Sequence, residues 1–199
     1  LKPPLYRARL VGCEVRRTTT QMAEFSSSTP PLEALRLLMI MASNDRSLCL
    51  NFSDVKKAHL NGFCERKILV KLPPELGGAY ALLNRSLYGT RDAAHNWELE
   101  IKRVFDAAGF VQGRSSPCVW RHSTNSLKVV IHGDDVVSVG SHTDTVWLRE
   151  TLAAAWRMSE RGCLSGTPQY CTTKHITCLN RLISVDDAGY TWEADPRHA

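Results

Sequence analysis

Residues 129–139 read VVIHGDDVVSV. Two β-branched runs, Val129-Val130-Ile131 and Val136-Val137, flank the short insert His132-Gly133-Asp134-Asp135. Four residues between strand-forming runs predict a β-hairpin, with strands at 127–131 and 136–139. Gly133 lets the chain turn closely with no side chain in the way. The tip then carries two adjacent carboxylates, Asp134 and Asp135, which repel each other unless a cation lies between them and a further acid. An Asp-Asp pair is more often a solvated turn, and Asp186-Asp187 before Gly189 is read that way. The apolar strands around 134–135 and the acid described next set this pair apart.

Upstream, Leu48, Leu50 and Phe52 alternate with polar residues, a strand pattern that delivers Asp54 at or just beyond the strand end. Three carboxylates at strand ends suit two Mg²⁺ ions, with Mn²⁺ as a substitute, because Mg²⁺ takes oxygen ligands and keeps waters and phosphates in its shell. Two such ions ~3.5–4 Å apart stabilise the attacking and leaving oxygens of phosphoryl transfer. Asp54, Asp134 and Asp135 are therefore the candidate catalytic and metal-binding residues.

The rest of the chain supplies the frame. Residues 5–17 read as a basic strand and 18–29 as a Ser/Thr-rich loop. Thr29-Pro30 looks like a helix cap and first turn, opening a helix to about Ser43 with Leu32, Leu35, Met39 and Ala42 on one face. Residues 67–72 form a strand that Pro73-Pro74 ends. Residues 91–108 form a helix with Trp97, Ile101, Val104, Phe105 and Ala108 in one stripe and Gly109 as its stop. A strand at 118–121 and a helix at 143–156, with Trp147, Leu148, Leu152 and Ala155 apolar, lie on either side of the hairpin. Residues 178–185 and 190–193 read as a second hairpin through Asp187-Ala188-Gly189, and Asp195-Pro196 as the opening of another helix. Strands arriving as hairpins between helices predict an α+β fold, an antiparallel sheet backed by helices.

Composition sets outer bounds. The chain has 199 residues, 43% hydrophobic and 23% charged, which suits a folded core and excludes wholesale disorder. A formal net charge of +5 permits a polyanionic partner without demanding one. No apolar run approaches the ~20 residues that span a bilayer, and LKPPLYRARL at 1–10 has no signal-peptide core. The expectation is an intracellular, non-secreted protein with no membrane partner. A start without Met and an abrupt stop suggest a piece of a longer product. The seven cysteines include no C-x-x-C pair, so reduced thiols are expected. Cys163, Cys171, His175 and Cys178 offer zinc-type ligands in a C-x7-C-x3-H-x2-C spacing, but structural sites usually open with closely spaced cysteines, and ordinary strand cysteines are the expectation.

Six segments in order add a resemblance. YRARLV at 6–11, DVKKAHLNG at 54–62, VKLPPEL at 70–76, RSLYGTRDAAHNW at 85–97, SPCVW at 116–120 and HGDDVVSVG at 132–140 resemble the YKARLV, DVKNAFLNG, V-x-x-PPG, KSLYGLKQAPRAW, SDPSLF-like and YVDDILITG segments of copia-type retrotransposon reverse transcriptases. Gly-Asp-Asp alone is widespread; six segments in family order are not. The resemblance implies RNA-directed DNA synthesis from deoxynucleoside triphosphates on a primed RNA or DNA template. It implies a polymerase palm at about 48–61 and 91–193, fingers at about 1–47 and 62–90, and a truncated thumb beginning at 194–199. It also implies ribonuclease H and integrase regions elsewhere in a polyprotein, and a cytoplasmic particle or the nucleus as the place of action.

Carried over position by position, Asp54 resembles the family's first metal-binding aspartate, and Asp134 and Asp135 its acidic pair. His59 falls where the family has an aromatic ring beneath the incoming sugar. Tyr88 and Gly89 resemble the segment that packs on nucleotide and template. Arg9 and Arg91 fall where basic residues face the triphosphate, or are simply solvated arginines. His59 departs from the family's Phe, His132-Gly133 from Tyr-Val, and Thr90-Arg91-Asp92 from Leu-Lys-Gln. Three other readings stand beside this one. A non-catalytic relic with the same fold is compatible with the truncation. An RNA-templated RNA polymerase would carry an aspartate where this chain has His59. A nucleotide cyclase has no place for LYGTRDAAHNW.

Overall fold

A computed structural model describes residues 10–14 and 28–194. Helix α1 (Leu32–Asn44) presents Leu35, Leu38, Met39 and Ala42 inward, the i, i+3, i+4, i+7 stripe of an amphipathic helix. It begins later than Thr29-Pro30 suggests. A residue before proline is disfavoured in helical backbone, so Pro30 is restricted by Pro31, and Pro31 itself is extended at ψ 146°. Leu32, expected on the inner face, lies in the first turn and is exposed.

The chain divides into two units, Leu1–Ser27 with Lys57–Ile101, and Ser28–Lys56 with Lys102–Ala199. The second is built on a six-stranded sheet, in the order β4-β5-β6-β7-β1-β8. Its strands are β1 (Cys49–Val55), β4 (Phe110–Gln112), β5 (Val119–His122), β6 (Lys128–His132), β7 (Asp135–Gly140) and β8 (Met158–Ser165), every neighbouring pair antiparallel. Leu50, Phe52, Val130, Val137, Val139 and Leu164 share one core with α1 and with Ile176, Ile183 and Val185. Burial of each such side chain contributes roughly 1.5–3 kcal/mol. The last three belong to a three-stranded antiparallel sheet of β9 (His175–Cys178), β10 (Arg181–Asp186) and β11 (Gly189–Ala194).

Helix α3 (His142–Ala155) is capped by the Ser141 hydroxyl, which accepts from the Asp144 N–H at 3.1 Å, and buries Thr145, Leu148 and Leu152. Trp147 and Ala155 are exposed rather than on the inner stripe. The Trp147 ring still stacks on Phe110 at 6.3 Å and meets the edge of His122 at 5.2 Å. Helix α2 (Ala93–Ala107) buries Trp97, Ile101, Val104 and Phe105 of the expected stripe; Ala108 lies past its end and is half-buried, and Gly109 follows at φ +84°.

Several strands depart from expectation, β3 at Tyr80–Leu82 among them. β4 and β8 are absent from any periodic reading because they are short or polar, and both exist through pairing with neighbours. The stretch 178–185 is not one strand: Cys178 pairs with Arg181 across Leu179-Asn180, whose φ of +49° and +57° match a type I′ hairpin turn. Asn tolerates that conformation; Leu gives no hint of it. The basic strand expected at 5–17 lies mostly outside the described residues, and 10–14 have no regular secondary structure.

In the first unit, β2 (Leu69–Lys71) and β3 (Tyr80–Leu82) form a small hairpin. An ionic network organises this unit. Arg66 donates from Nε and Nη2 to both oxygens of Asp92, at 2.9 and 2.8 Å, and from Nη1 and Nη2 to both oxygens of Glu14, at 3.1 Å each. Glu14 also accepts from the Arg91 N–H at 2.8 Å. These donors, Arg66 first, hold the Asp92 and Glu14 carboxyls below their usual range.

Candidate metal centre

Asp54 is the sixth residue of β1, directly opposite Asp135 at the start of β7. Pairing of His132 with Asp135 leaves Gly133-Asp134 as a two-residue turn, with Gly133 at φ +61°. Tight hairpins favour glycine at that first position because L side chains resist positive φ. The Val55 N–H donates to the Asp134 carbonyl at 2.8 Å, tying the hairpin tip to the end of β1. Register and turn together bring one oxygen from each of Asp54, Asp134 and Asp135 within 4.8 Å of one another. Among the described residues this is the group of three potential ligands that converges. Cys163, Cys171, His175 and Cys178 form no such group.

The triad is electrostatically loaded. Burial is the largest influence on Asp54 and raises its pKa; the Asp134 charge adds to that, and Arg161 opposes it. Burial likewise raises Asp135, with Arg161 opposing and the Asp134 and Asp54 charges adding. Arg161 Nη2 lies 3.0 Å from Asp135 Oδ1 and 3.6 Å from Asp54 Oδ1. Asp135 Oδ1 is buried and, despite that ion pair, accepts no well-aligned hydrogen bond. An all-oxygen, all-anionic donor set with an under-coordinated buried oxygen fits a hard divalent cation.

Sequence reasoning missed Arg161. It sits at an irregularity between β1 and β8, where Ser53 pairs with Glu160 and Phe52 with Gly162, leaving Arg161 opposite neither. Nothing in Ser159-Glu160-Arg161-Gly162 read alone announces a strand or a site.

The other candidates fall in the first unit. His59 lies in a short 3₁₀ turn, Ala58–Asn61, and its ring meets Tyr88 at 4.6 Å with a 33° tilt. Gly89 has φ +88°, and a Cβ there would run into the Gly12 carbonyl, so glycine is required by backbone contact. The Gly12 N–H donates to the Tyr88 carbonyl at 2.6 Å in the same contact. The Arg91 backbone belongs to the Glu14 network. Arg9 lies outside the described residues.

Fold and site define an α+β protein of antiparallel sheets with an acidic, cation-ready centre at a hairpin tip. The family described as reverse transcriptase (RNA-dependent DNA polymerase) matches residues 2–169, and the chain belongs to that family. It is 27% identical over 168 residues to the retrovirus-related Pol polyprotein from transposon TNT 1-94 of Nicotiana tabacum, covering 79% of this chain and 12% of that protein. It is also 27% identical over 157 residues to the Pol polyprotein from transposon RE2 of Arabidopsis thaliana, covering 75% of this chain and 11% of that one. The chain thus spans about one-eighth or less of the length of these copia-type relatives. Among the described residues no helix is long and apolar enough to cross a membrane.

Proposed function

We propose that this chain is the core of an RNA-directed DNA polymerase, joining deoxynucleoside triphosphates to the 3′ end of a primer on an RNA or DNA template. The observation that carries the reading is the convergence of Asp54, Asp134 and Asp135 from two separate segments. Asp54, Asp134 and Asp135 would hold two Mg²⁺ ions, or Mn²⁺ in their place. When bound, these ions supply charge for the attacking and leaving oxygens of nucleotidyl transfer. The six-stranded sheet would be the palm, segment 62–90 would belong to the fingers, and a thumb would begin near 194. His59, Tyr88, Gly89, Arg91 and Arg9 would serve the incoming nucleotide. Ribonuclease H and integrase activities would reside in further parts of a polyprotein, working inside the cell in a particle or the nucleus.

His59 has a consequence of its own in this reading. Histidine is smaller than the family's Phe and pairs with a hydroxyl as donor or acceptor. Discrimination against ribonucleotides should be weaker than in a Phe enzyme, and His59→Phe should restore it. The deciding experiment is primer extension by the purified chain with Mg²⁺, against Asp134→Asn. Extension by the parent and none by the variant supports the polymerase; no extension by either leaves a folded, non-catalytic relic as the reading.

A further inference from the structure

Resting on the proposed metal-binding role of the triad, we infer that Arg161 is a built-in counter-cation. It occupies the charge well of Asp54 and Asp135 in the metal-free protein and gives way when divalent ions enter, so it sets their affinity. Two independent features of the chain carry this.

The first is the ion pair. One guanidinium nitrogen faces both Asp135, at 3.0 Å, and Asp54, at 3.6 Å. A divalent ion held by the same carboxylates would be drawn to the oxygens that the guanidinium faces, and like charges drawn to the same oxygens repel. The two cations therefore compete for one well.

The second is the backbone that aims the side chain. Between Glu160, opposite Ser53, and Gly162, opposite Phe52, Arg161 is the extra residue of a β-bulge. Bulges re-aim side chains and are frequent beside active sites. This one rests on Gly162 at φ +146°, a conformation L side chains rarely adopt, and a Cβ there would come within 2.7 Å of Thr173 Cγ2. Because β8 is an edge strand and the Arg161 side chain is 38% exposed, it can swing into solvent without dismantling the core. Arg161 touches the ligands rather than the reacting atoms, which makes it a positioning residue.

Titration of the full chain with MnCl₂, following free Mn²⁺ by electron paramagnetic resonance, tests this without requiring polymerase activity. Arg161→Gln should bind Mn²⁺ about fivefold tighter than the parent, since it removes a competing ion pair of partly exposed type. Arg161→Met is a second neutral variant expected to do the same, and covers the case in which the Gln protein fails to melt cooperatively. Arg161→Lys keeps the charge and should bind like the parent. Asp54→Asn should bind most weakly, locating the Mn²⁺ at the triad. Equal or weaker binding by both neutral variants overturns the inference and leaves the triad as a metal site. A gain by Lys as large as that by Gln would trace the effect to side-chain shape and also overturns it. Absence of Mn²⁺ binding in every chain, parent included, overturns the metal-binding role itself and the inference with it.

Discussion

Asp92 and Asp135 are both aspartates set against an arginine, yet their carboxyls shift in opposite directions. Asp92 is 1% exposed and receives a two-pronged guanidinium, which holds it below the ordinary range. Asp135 meets Arg161 through a single ion pair and shares its surroundings with Asp54 and Asp134, and burial raises it. The difference lies in donor supply. Arg66 makes four hydrogen bonds to two acids, and the Arg91 N–H adds a fifth. Arg161 brings one nitrogen to a group of three acids, 3.0 Å from Asp135 and 3.6 Å from Asp54, and leaves Asp135 Oδ1 with no aligned hydrogen bond. Charges satisfied by the protein hold structure together; charges left in deficit are available for something else to bind.

Four substitutions sharpen this contrast. The largest effect is expected at the triad. Asp135→Asn should lower primer extension on the order of 10³-fold, the scale of several kcal/mol of lost charge stabilisation. The same change should leave urea-denaturation stability equal or higher in the absence of metal, because it removes one charge from a repelling group. A large loss of stability in that variant would break the comparison.

Arg66→Met should do the reverse, costing about 2–4 kcal/mol of stability by leaving Asp92 buried without its cation. Chemical denaturation followed by circular dichroism measures it. The sign of its pH dependence follows from the lowered carboxyls. Stabilisation from Glu14 and Asp92 is present above their unfolded values of 4.5 and 3.8, and is lost as pH falls through their lower folded values. The parent should therefore lose this contribution below about pH 4.5, and Arg66→Met should show a flatter curve there.

A smaller effect is expected at the bulge. Gly162→Ala must adopt φ +146° against Thr173 and should cost about 1–3 kcal/mol. If the variant retains parental stability in thermal melts, the bulge is not rigidly held. Smallest of all is Lys102→Ala, which removes an i,i+4 pair to Asp106 whose side chains are 50% and 48% exposed. It should change stability by only about 0.3–0.5 kcal/mol, and a larger loss in the same melts would blur the line between satisfied and decorative charges.

The elements legible in the sequence are those whose signal is local. The apolar runs around Gly133, the alternation from Leu48 to Phe52, and the stripe through Trp97, Ile101 and Phe105 each declare their period within a few residues. Hairpin and alternation also mark Asp54, Asp134 and Asp135, because both are local signals and these acids stand where they end. Even so, their meeting depends on β1 lying beside β7 with Asp54 opposite Asp135, a register set by long-range pairing. The polar stretch Met158-Ser159-Glu160-Arg161 is a strand because the edge of β1 supplies its hydrogen bonds, so β8 and the aim of Arg161 exist only in the folded chain. The same holds for Arg66, which reaches Glu14 across 52 positions of sequence and Asp92 across 26. Periodicity reports which face a residue takes, and the sequence by itself determined that much, including which acids stand at strand ends. Which charge answers which is a matter of distance in space, and only the tertiary structure decided it.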